Sequence, residues 1–344
     1  MSGDILIRKE GRAGRITLNR PGALNALTWD MCRRLAAALA DWRGDAEVAL
    51  LVIDGAGEKA FCAGGDVAEL HATGSAGDFD YGRRFWADEY RMNAALFDFP
   101  KPVATFLQGF TMGGGVGVGC HGSHRIVGDT SRIAMPEVGI GLVPDVGGSL
   151  ILARAPGRLG EYLGVTAARM GPGEAIEAGF ADYYLPEAGW EALKAELVET
   201  GDWTAVDRAA RPAPGSALSG HRAEIDRAFA GESLRDIVNA LTASGTDFAA
   251  ATLAAMERMS PLSMACTVDL VRRVRGRDTI DAALEMEYRF TARAMEKGDF
   301  LEGVRAAIID KDRRPRWRHE GLAGAPAVEV SAMLMPLGAE GLKL

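Results

Sequence analysis

In the stretch from Thr111 to Gly148, Glu137 and Asp145 lie eight positions apart among neighbours that are almost all apolar or glycine. The stretch opens Thr-Met-Gly-Gly-Gly-Val-Gly-Val-Gly-Cys-His-Gly and closes Met-Pro-Glu-Val-Gly-Ile-Gly-Leu-Val-Pro-Asp-Val-Gly-Gly. A carboxylate buried without a partner is costly, so two of them in so apolar a run point to a site and not to a surface. The glycines point to backbone that must come close to something, because each lacks the Cβ that would hold a neighbour off.

The flanking segments give the architecture. Apolar residues at 5–7 and 15–18, around Gly11 and Gly14, predict a β-hairpin, and Asn19-Arg20-Pro21-Gly22 predicts a turn. Thr28 caps a helix expected over 29–42, in which Met31, Leu35 and Leu39 recur every fourth position. A buried strand is expected over 48–53 and a helix from Val67. A longer helix over 80–99 carries Glu89 and is stopped by Pro100 and Pro102. A strand over 103–107 feeds the glycine stretch. Strands alternating with helices make the class α/β. Beyond Pro186 only helices are expected, over 190–199, 223–230, 247–259, 265–275 and 280–297, with a linker at 212–220. The organisation read from this is an α/β core over 1–189, a helical C-terminal region over 190–318 and a loose tail over 319–344.

Composition excludes several classes. A net charge of -8 argues against a nucleic-acid partner. No uncharged apolar run reaches the roughly 18–20 residues that a membrane helix requires. Cys32, Cys62, Cys120 and Cys266 are scattered, with no Cys-x-x-Cys pair, and read as buried reduced thiols. The N-terminal residues show no basic region followed by a hydrophobic one. A cytoplasmic protein without membrane or nucleic-acid partners is expected.

Other chemistries are weighed and set aside. Gly117-Val-Gly-Cys-His-Gly122 fits Gly-x-Gly-x-x-Gly, but it begins several residues after the preceding strand, and the acid expected about 20 residues on could only be Glu137, which follows a proline. The plainer reading of Gly117 and Gly119 is a helix packed tightly on its neighbours. His121 and His124 could share one helix face, yet two histidines without a third ligand make a poor zinc site, so no metal is expected. No Gly-x-Ser-x-Gly elbow occurs. His71, His221 and His319 read as surface or loop residues. Residues 61–66 and 112–115 make joint sense if each presents a backbone N–H at one point, since an oxyanion needs two converging donors. A helix starting near Gly114 would add its dipole.

Taken together, these residues resemble the crotonase, or enoyl-CoA hydratase/isomerase, superfamily. The resemblance rests on Asn19-Arg20-Pro21…Asn25-Ala26-Leu27, Ala60-Phe-Cys-Ala-Gly-Gly-Asp66, Gly109…Gly113-Gly-Gly115 and Met135-Pro-Glu137…Gly141…Pro144-Asp145…Gly147-Gly148. It implies a repeated ββα spiral core. Within the superfamily the branch of 3-hydroxyisobutyryl-CoA hydrolases is more similar, through Asp88-Glu-Tyr90, the Pro136–Gly148 run and Met286-Glu-Tyr-Arg…Asp299-Phe-Leu-Glu-Gly-Val-Arg-Ala…Pro315-Arg-Trp317. Hydratases of the superfamily use two glutamates; the first falls here on Gly117, which has no side chain, while Asp145 supplies a second carboxylate.

The resemblance implies acyl-CoA thioester hydrolysis, with coenzyme A as part of the substrate and no separate cofactor. Gly65 and Gly114 would hold the thioester oxygen, Glu137 would act as nucleophile or base, and Asp145 as acid or water-orienting group. Glu89 would meet the acyl hydroxyl, Gly64 and Asp66 the adenine end of CoA, and Arg20 near Asn25 the pantetheine or a phosphate. Plainer alternatives are a helix cap or an ion pair with Arg132 for Glu137, a turn-forming role for Asp145, and an exposed helical position for Glu89. Two rival functions stand beside hydrolysis: an isomerase or hydratase-type lyase using Glu137 alone, and a non-catalytic acyl-CoA-binding protein. A homo-oligomer is a further expectation from the superfamily.

Overall fold

The computed structural model describes residues 3–344, so the first two positions of the core expected over 1–189 lie outside the described residues. The chain forms two compact units that interleave in sequence instead of dividing near residue 189. The first comprises the residues up to Gly65, Asp88–Ala134 and Arg169–Ser216; the second comprises Asp66–Ala87, Met135–Ala168 and Ala217–Leu344.

The first unit holds every strand described. β1 (Ile5–Glu10) and β2 (Ala13–Leu18) form the expected antiparallel hairpin, with Ile5 opposite Leu18. β3 (Leu50–Gly55), β5 (Val103–Phe106), β7 (His124–Val127) and β9 (Tyr183–Tyr184) extend it in parallel, giving a six-stranded sheet in the order β1-β2-β3-β5-β7-β9. β4 (Ala60–Cys62), β6 (Phe110–Met112) and β8 (Arg132–Ala134) form a second, three-stranded parallel sheet. Each of the pairs β3/β4, β5/β6 and β7/β8 therefore gives one strand to each sheet before the chain turns helical, which is the repeated ββα plan. Parallel strands are covered on both faces and read as continuous apolar runs, as Leu-Leu-Val-Ile in β3 does. Leu50, Val52, Ala104, Phe106 and Ile126 pack there with Trp190, Leu193 and Leu197 of the Trp190–Thr200 helix.

The second unit is helical. Its longest members are Pro261–Arg275 and Ile280–Lys297, capped by Ser260 and Thr279 as side-chain acceptors. The Leu234–Ser244 helix escaped the sequence reading although Ser233 and Asp236 form a full capping box at its start. The loose tail expected over 319–344 is corrected: Ala327–Leu334 is a helix that packs on Pro261–Arg275 and Ile280–Lys297 and buries Met333 and Leu334. Arg293 fixes its end by donating to the carbonyls of Met333 at 3.1 Å and Met335 at 2.8 Å. Glu161, with no exposed surface, binds Arg275 through both oxygens at 2.8 Å and Arg158 at 2.9 Å. Burial pushes that carboxyl up, but Arg275 outweighs it and the net shift is downward, so Glu161 is a permanent ion.

One loop of the first unit bears on the site. Asn25 has no exposed surface and a left-handed backbone (φ 57°). Its carboxamide oxygen accepts from the Arg20 amide at 2.8 Å, and its nitrogen donates to the carbonyls of Ala56 and Ala60, both at 2.9 Å. Both N–H donors are used, and through them Asn25 ties the 20–27 loop to β4. Arg20 braces the same loop, donating to the Ala26 carbonyl at 2.6 Å. Asn25→Ala should lower stability by about 2–4 kcal/mol, the sum of three lost bonds and stranded backbone groups. Calorimetric unfolding checks this, and an unchanged Tm would show that the loop is held by something else.

Candidate active site

The expected site residues fall into two sets, one in each unit. In the first, β4 runs into Cys62-Ala63-Gly64-Gly65. Gly64 takes φ 125°, a conformation that a side chain would strain, and its carbonyl accepts from the Leu27 amide at 2.9 Å. The Cys62 thiol also donates to that carbonyl at 3.4 Å. Burial pushes this thiol up to about 12, with the Gly64 bond pulling the other way, so it stays protonated and donating.

The Gly114–Gly119 helix, entered through Gly113 at φ 50°, lies directly on this turn. A Cβ on Gly115 would come 2.2 Å from the Cys62 carbonyl oxygen, so only glycine permits the approach. A Cβ on Gly114 would lie 2.9 Å from Glu89 Oε1 and 3.3 Å from the Gly65 nitrogen. Gly65, Gly114 and Glu89 thus border one small space. Among the described residues, neither the Gly65 nor the Gly114 amide donates to a protein acceptor. Two such amides can host an oxygen that gains negative charge. Glu89, on the Phe79–Phe97 helix, is 3% exposed, so the exposed position allowed for it is excluded.

The second set lies in the helical unit. Glu137 opens a short 3-10 turn, Glu137–Ile140, and is 4% exposed. Asp145 is equally buried, at 4%, and its carbonyl accepts from the Gly148 amide at 2.7 Å. The next two residues are both left-handed, Val146 at φ 54° and Gly147 at φ 78°, before the Gly148–Arg154 helix begins. Asp66 ends the connection from Gly65 and precedes the Val67–Ser75 helix, half-buried, without capping it through its side chain.

A third carboxyl joins this set, one to which the sequence reading gave no role. Glu287, in the middle of Ile280–Lys297, has no exposed surface and accepts from the amides of Gly147 at 2.8 Å and Ser149 at 3.1 Å. The Ser149 hydroxyl bonds to it as well. Burial pushes its pKa up to about 8; the Ser149 and Gly147 bonds pull it down, and the charge of Asp145 raises it. The signal was present in the sequence, because Glu287 lies on the helix stripe formed by Ala283, Phe290, Thr291 and Ala294, all fully buried.

The discarded motifs find ordinary places. Gly119 lies against Phe61 and Leu107, as close helix packing requires. His121 and His124 do not share a helix: His121 meets Phe97 edge-on, and His124 opens β7 and stacks on Tyr183. All four cysteines are buried free thiols. Among the described residues no helix is long and apolar enough to cross a membrane.

Comparison with known proteins extends this geometry. The family described as enoyl-CoA hydratase/isomerase matches residues 13–334. The mitochondrial 3-hydroxyisobutyryl-CoA hydrolase of Danio rerio is 37% identical over 352 residues, covering 99% of this chain and 92% of its own. That of Gallus gallus is 36% identical over 356 residues, with 99% and 91% covered. Among solved structures, an enoyl-CoA hydratase from Rhodobacter sphaeroides 2.4.1 superposes with a TM-score of 0.94 at 56% identity, over 99% of this chain and 100% of the other.

Two measurements follow from the geometry. Gly114→Ala should fill the space before the Gly65 amide and lower activity by about 10²–10³ in rate with little change in melting, the loss typical of one oxyanion donor. Wild-type rates in a folded Gly114→Ala protein would remove the amides from the chemistry. Glu287 sets the second. Its folded pKa of about 8 exceeds the ordinary 4.5, so the stability it confers is fully present below about 4.5 and is lost as pH rises toward 8. Wild type should therefore lose Tm more steeply than Glu287→Gln across that window; parallel curves would show that no proton is held there.

Proposed function

The chain belongs to the enoyl-CoA hydratase/isomerase family, and from that premise we propose that it hydrolyses an acyl-CoA thioester, 3-hydroxyisobutyryl-CoA, to 3-hydroxyisobutyrate and CoA. Valine breakdown is the pathway in which we place it. The observation that carries the choice of reaction is the pairing of a side-chain-free Gly117 with two buried carboxylates, Glu137 and Asp145. Hydration of a double bond needs groups that handle both the water and the α-proton, and one of the two positions that resemblance assigns to this task is vacant. Thioester cleavage needs an oxyanion host, a nucleophile or base and a proton source, and residues for each are present.

In this reading the Gly65 and Gly114 amides take the thioester oxygen as it becomes an oxyanion. Glu137 attacks the acyl carbon, forming a mixed anhydride as the carbon–sulfur bond breaks; Asp145 gives its proton to the departing thiolate. Water, giving one proton back to Asp145, then opens the anhydride and regenerates Glu137. Acting as a base, Glu137 would instead take a proton from the water that attacks. Glu89 meets the acyl 3-hydroxyl, Gly64 and Asp66 the adenine end of CoA, and Arg20 a phosphate. Two oxyanion donors at about 10²–10³ each and an acid–base group at about 10²–10⁴ account for useful hydrolysis.

The 56% identical solved structure titled an enoyl-CoA hydratase favours one second reading, a hydratase or isomerase working through Glu137 alone. A thiol reagent separates them: free CoA released from a saturated 3-hydroxyacyl-CoA supports hydrolysis. Loss of enoyl absorbance from crotonyl-CoA without thiol release supports the rival. CoA-ester binding with neither change would leave a non-catalytic binder. The animal relatives are mitochondrial by name; for this chain we propose the cytoplasm, a reducing compartment that suits its four thiols. Self-association belongs to the same proposal and is read by sedimentation.

Glu137→Gln and Asp145→Asn should each lower CoA release by about 10²–10⁴ while leaving the melting curve in place. A single turnover of wild type in heavy-oxygen water should label the Glu137 carboxyl if it is the nucleophile, and only the product if it is the base. Near-normal turnover in either variant would remove that residue from the mechanism.

A further inference from the structure

The turn that carries Asp145 is not one its own residues prefer. Val146 is β-branched and buried, yet it takes φ 54°, a conformation in which its branched Cβ crowds the backbone. Gly147 follows at φ 78°, and the helix beginning at Gly148 has no capping side chain of its own at Gly147. The first amides of a helix have no partner within it and must find one elsewhere. Here they find it about 140 residues along the chain. Glu287 accepts from the Gly147 amide at 2.8 Å through one oxygen and from the Ser149 amide at 3.1 Å through the other, where the Ser149 hydroxyl also binds.

We propose that Glu287 is a positioning residue for the reaction: reaching in from the Ile280–Lys297 helix, it holds residues 145–149 in their strained turn and so fixes the Asp145 carboxyl. The inference rests on the reading of Asp145 as the acid of thioester hydrolysis. A cap alone would not call for so expensive a group. A serine or threonine can satisfy one or two amides without burying a carboxyl, whereas Glu287 spans positions 147 and 149 at once and stands within reach of the Asp145 charge. Its two oxygens fix the turn at two points, which is what a backbone held against its preference requires. Because the clamp comes from a distant helix, the local run Pro144-Asp-Val-Gly-Gly148 does not by itself set the geometry of Asp145.

The test compares Glu287→Gln, Glu287→Asp and Ser149→Ala with wild type, alone and with Val146→Gly. A glutamine of the same size presents an N–H where an acceptor is needed. Glu287→Gln should lower kcat for CoA release by about 10²-fold, the scale of a small misplacement of a reacting group, with KM within about twofold. Aspartate keeps the carboxyl but falls short, and should recover only part. Ser149→Ala, which folds with one donor fewer, should lose less. Glycine at 146 adopts the left-handed turn unaided, so Val146→Gly should raise kcat in the Glu287→Gln background. Independently of activity, hydrogen exchange at the Gly147 and Ser149 amides should quicken in Glu287→Gln. A lowered Tm with kcat per folded molecule unchanged, or unaltered exchange at those amides, overturns the positioning role. Full activity in Asp145→Asn would instead remove the hydrolase reading while leaving the clamp to be judged by exchange.

Discussion

Burying a carboxyl group is the most expensive thing this chain does repeatedly, and the way each one is compensated sorts the protein into scaffold and site. Asp54, at the end of β3, is met by Arg15 at 2.7 Å and Lys194 at 3.1 Å; Glu161 is met by Arg275 and Arg158. A cation at that distance compensates the buried charge, so these two pairs pin elements together. Glu287 is compensated differently. Its partners are two amides and a hydroxyl, all neutral, and the charge acting on it is a second carboxylate. Neutral donors cannot hold a charge against full burial and a like neighbour, so its proton affinity rises into the range where enzymes work. The unit thus holds a strongly raised carboxyl beside the segment that bears Asp145.

The first unit solves the complementary problem, which is to leave donors unspent. Under the proposed mechanism, an amide pair that receives a developing oxyanion cannot be used for the fold, and yet the turn that carries it must be rigid. The chain fixes everything around the pair instead. The Leu27 amide and the Cys62 thiol hold the Gly64 carbonyl, Asn25 ties the neighbouring loop to β4, and Gly115 lets the short helix rest on the Cys62 carbonyl. Donors held this way need no reorganisation when charge appears, which is the main source of their catalytic value.

How far the sequence was readable follows from where each signal is stored. The α/β class, the hairpin, the first helix and the run from Val103 to Gly119 were legible, because periodicity and caps are local. Gly65, Gly114, Glu137 and Asp145 drew attention because charges and glycines stand out against apolar neighbours, and the burial of both carboxyl groups is what the structure adds. Asn25 carries a structural role that sequence could not show: only the structure reveals its carboxamide bonded to Arg20, Ala56 and Ala60. The helix Ala327–Leu334 was missed because its stability comes from packing on two long helices and from Arg293, not from its own pattern. Glu287 was missed for the deepest reason. Its meaning lies in a contact some 140 positions away, and single-sequence reasoning has no access to that pairing, although the oddity of a glutamate on a core stripe was visible.

A fold shared with a hydratase need not share its chemistry, and the reason here is physical. Both reactions pass through a thioester oxygen that gains charge, so both need the amide pair, and that part of the scaffold carries no information about which reaction runs. The difference lies in what happens next. Adding water to a carbon–carbon double bond requires a proton to be delivered to one carbon while water is activated at the other, and no leaving group relieves the task. A tetrahedral adduct on a thioester expels a thiolate, whose ordinary pKa of about 8.5 makes it a good leaving group that a single acid suffices to assist. Losing the side chain at position 117 therefore cripples the first reaction and costs the second almost nothing. What hydrolysis asks in addition is a carboxyl that can attack or activate water and another held steadily enough to deliver a proton, and in the proposed mechanism a strained turn clamped from a distant helix would provide that steadiness where a loose loop would not.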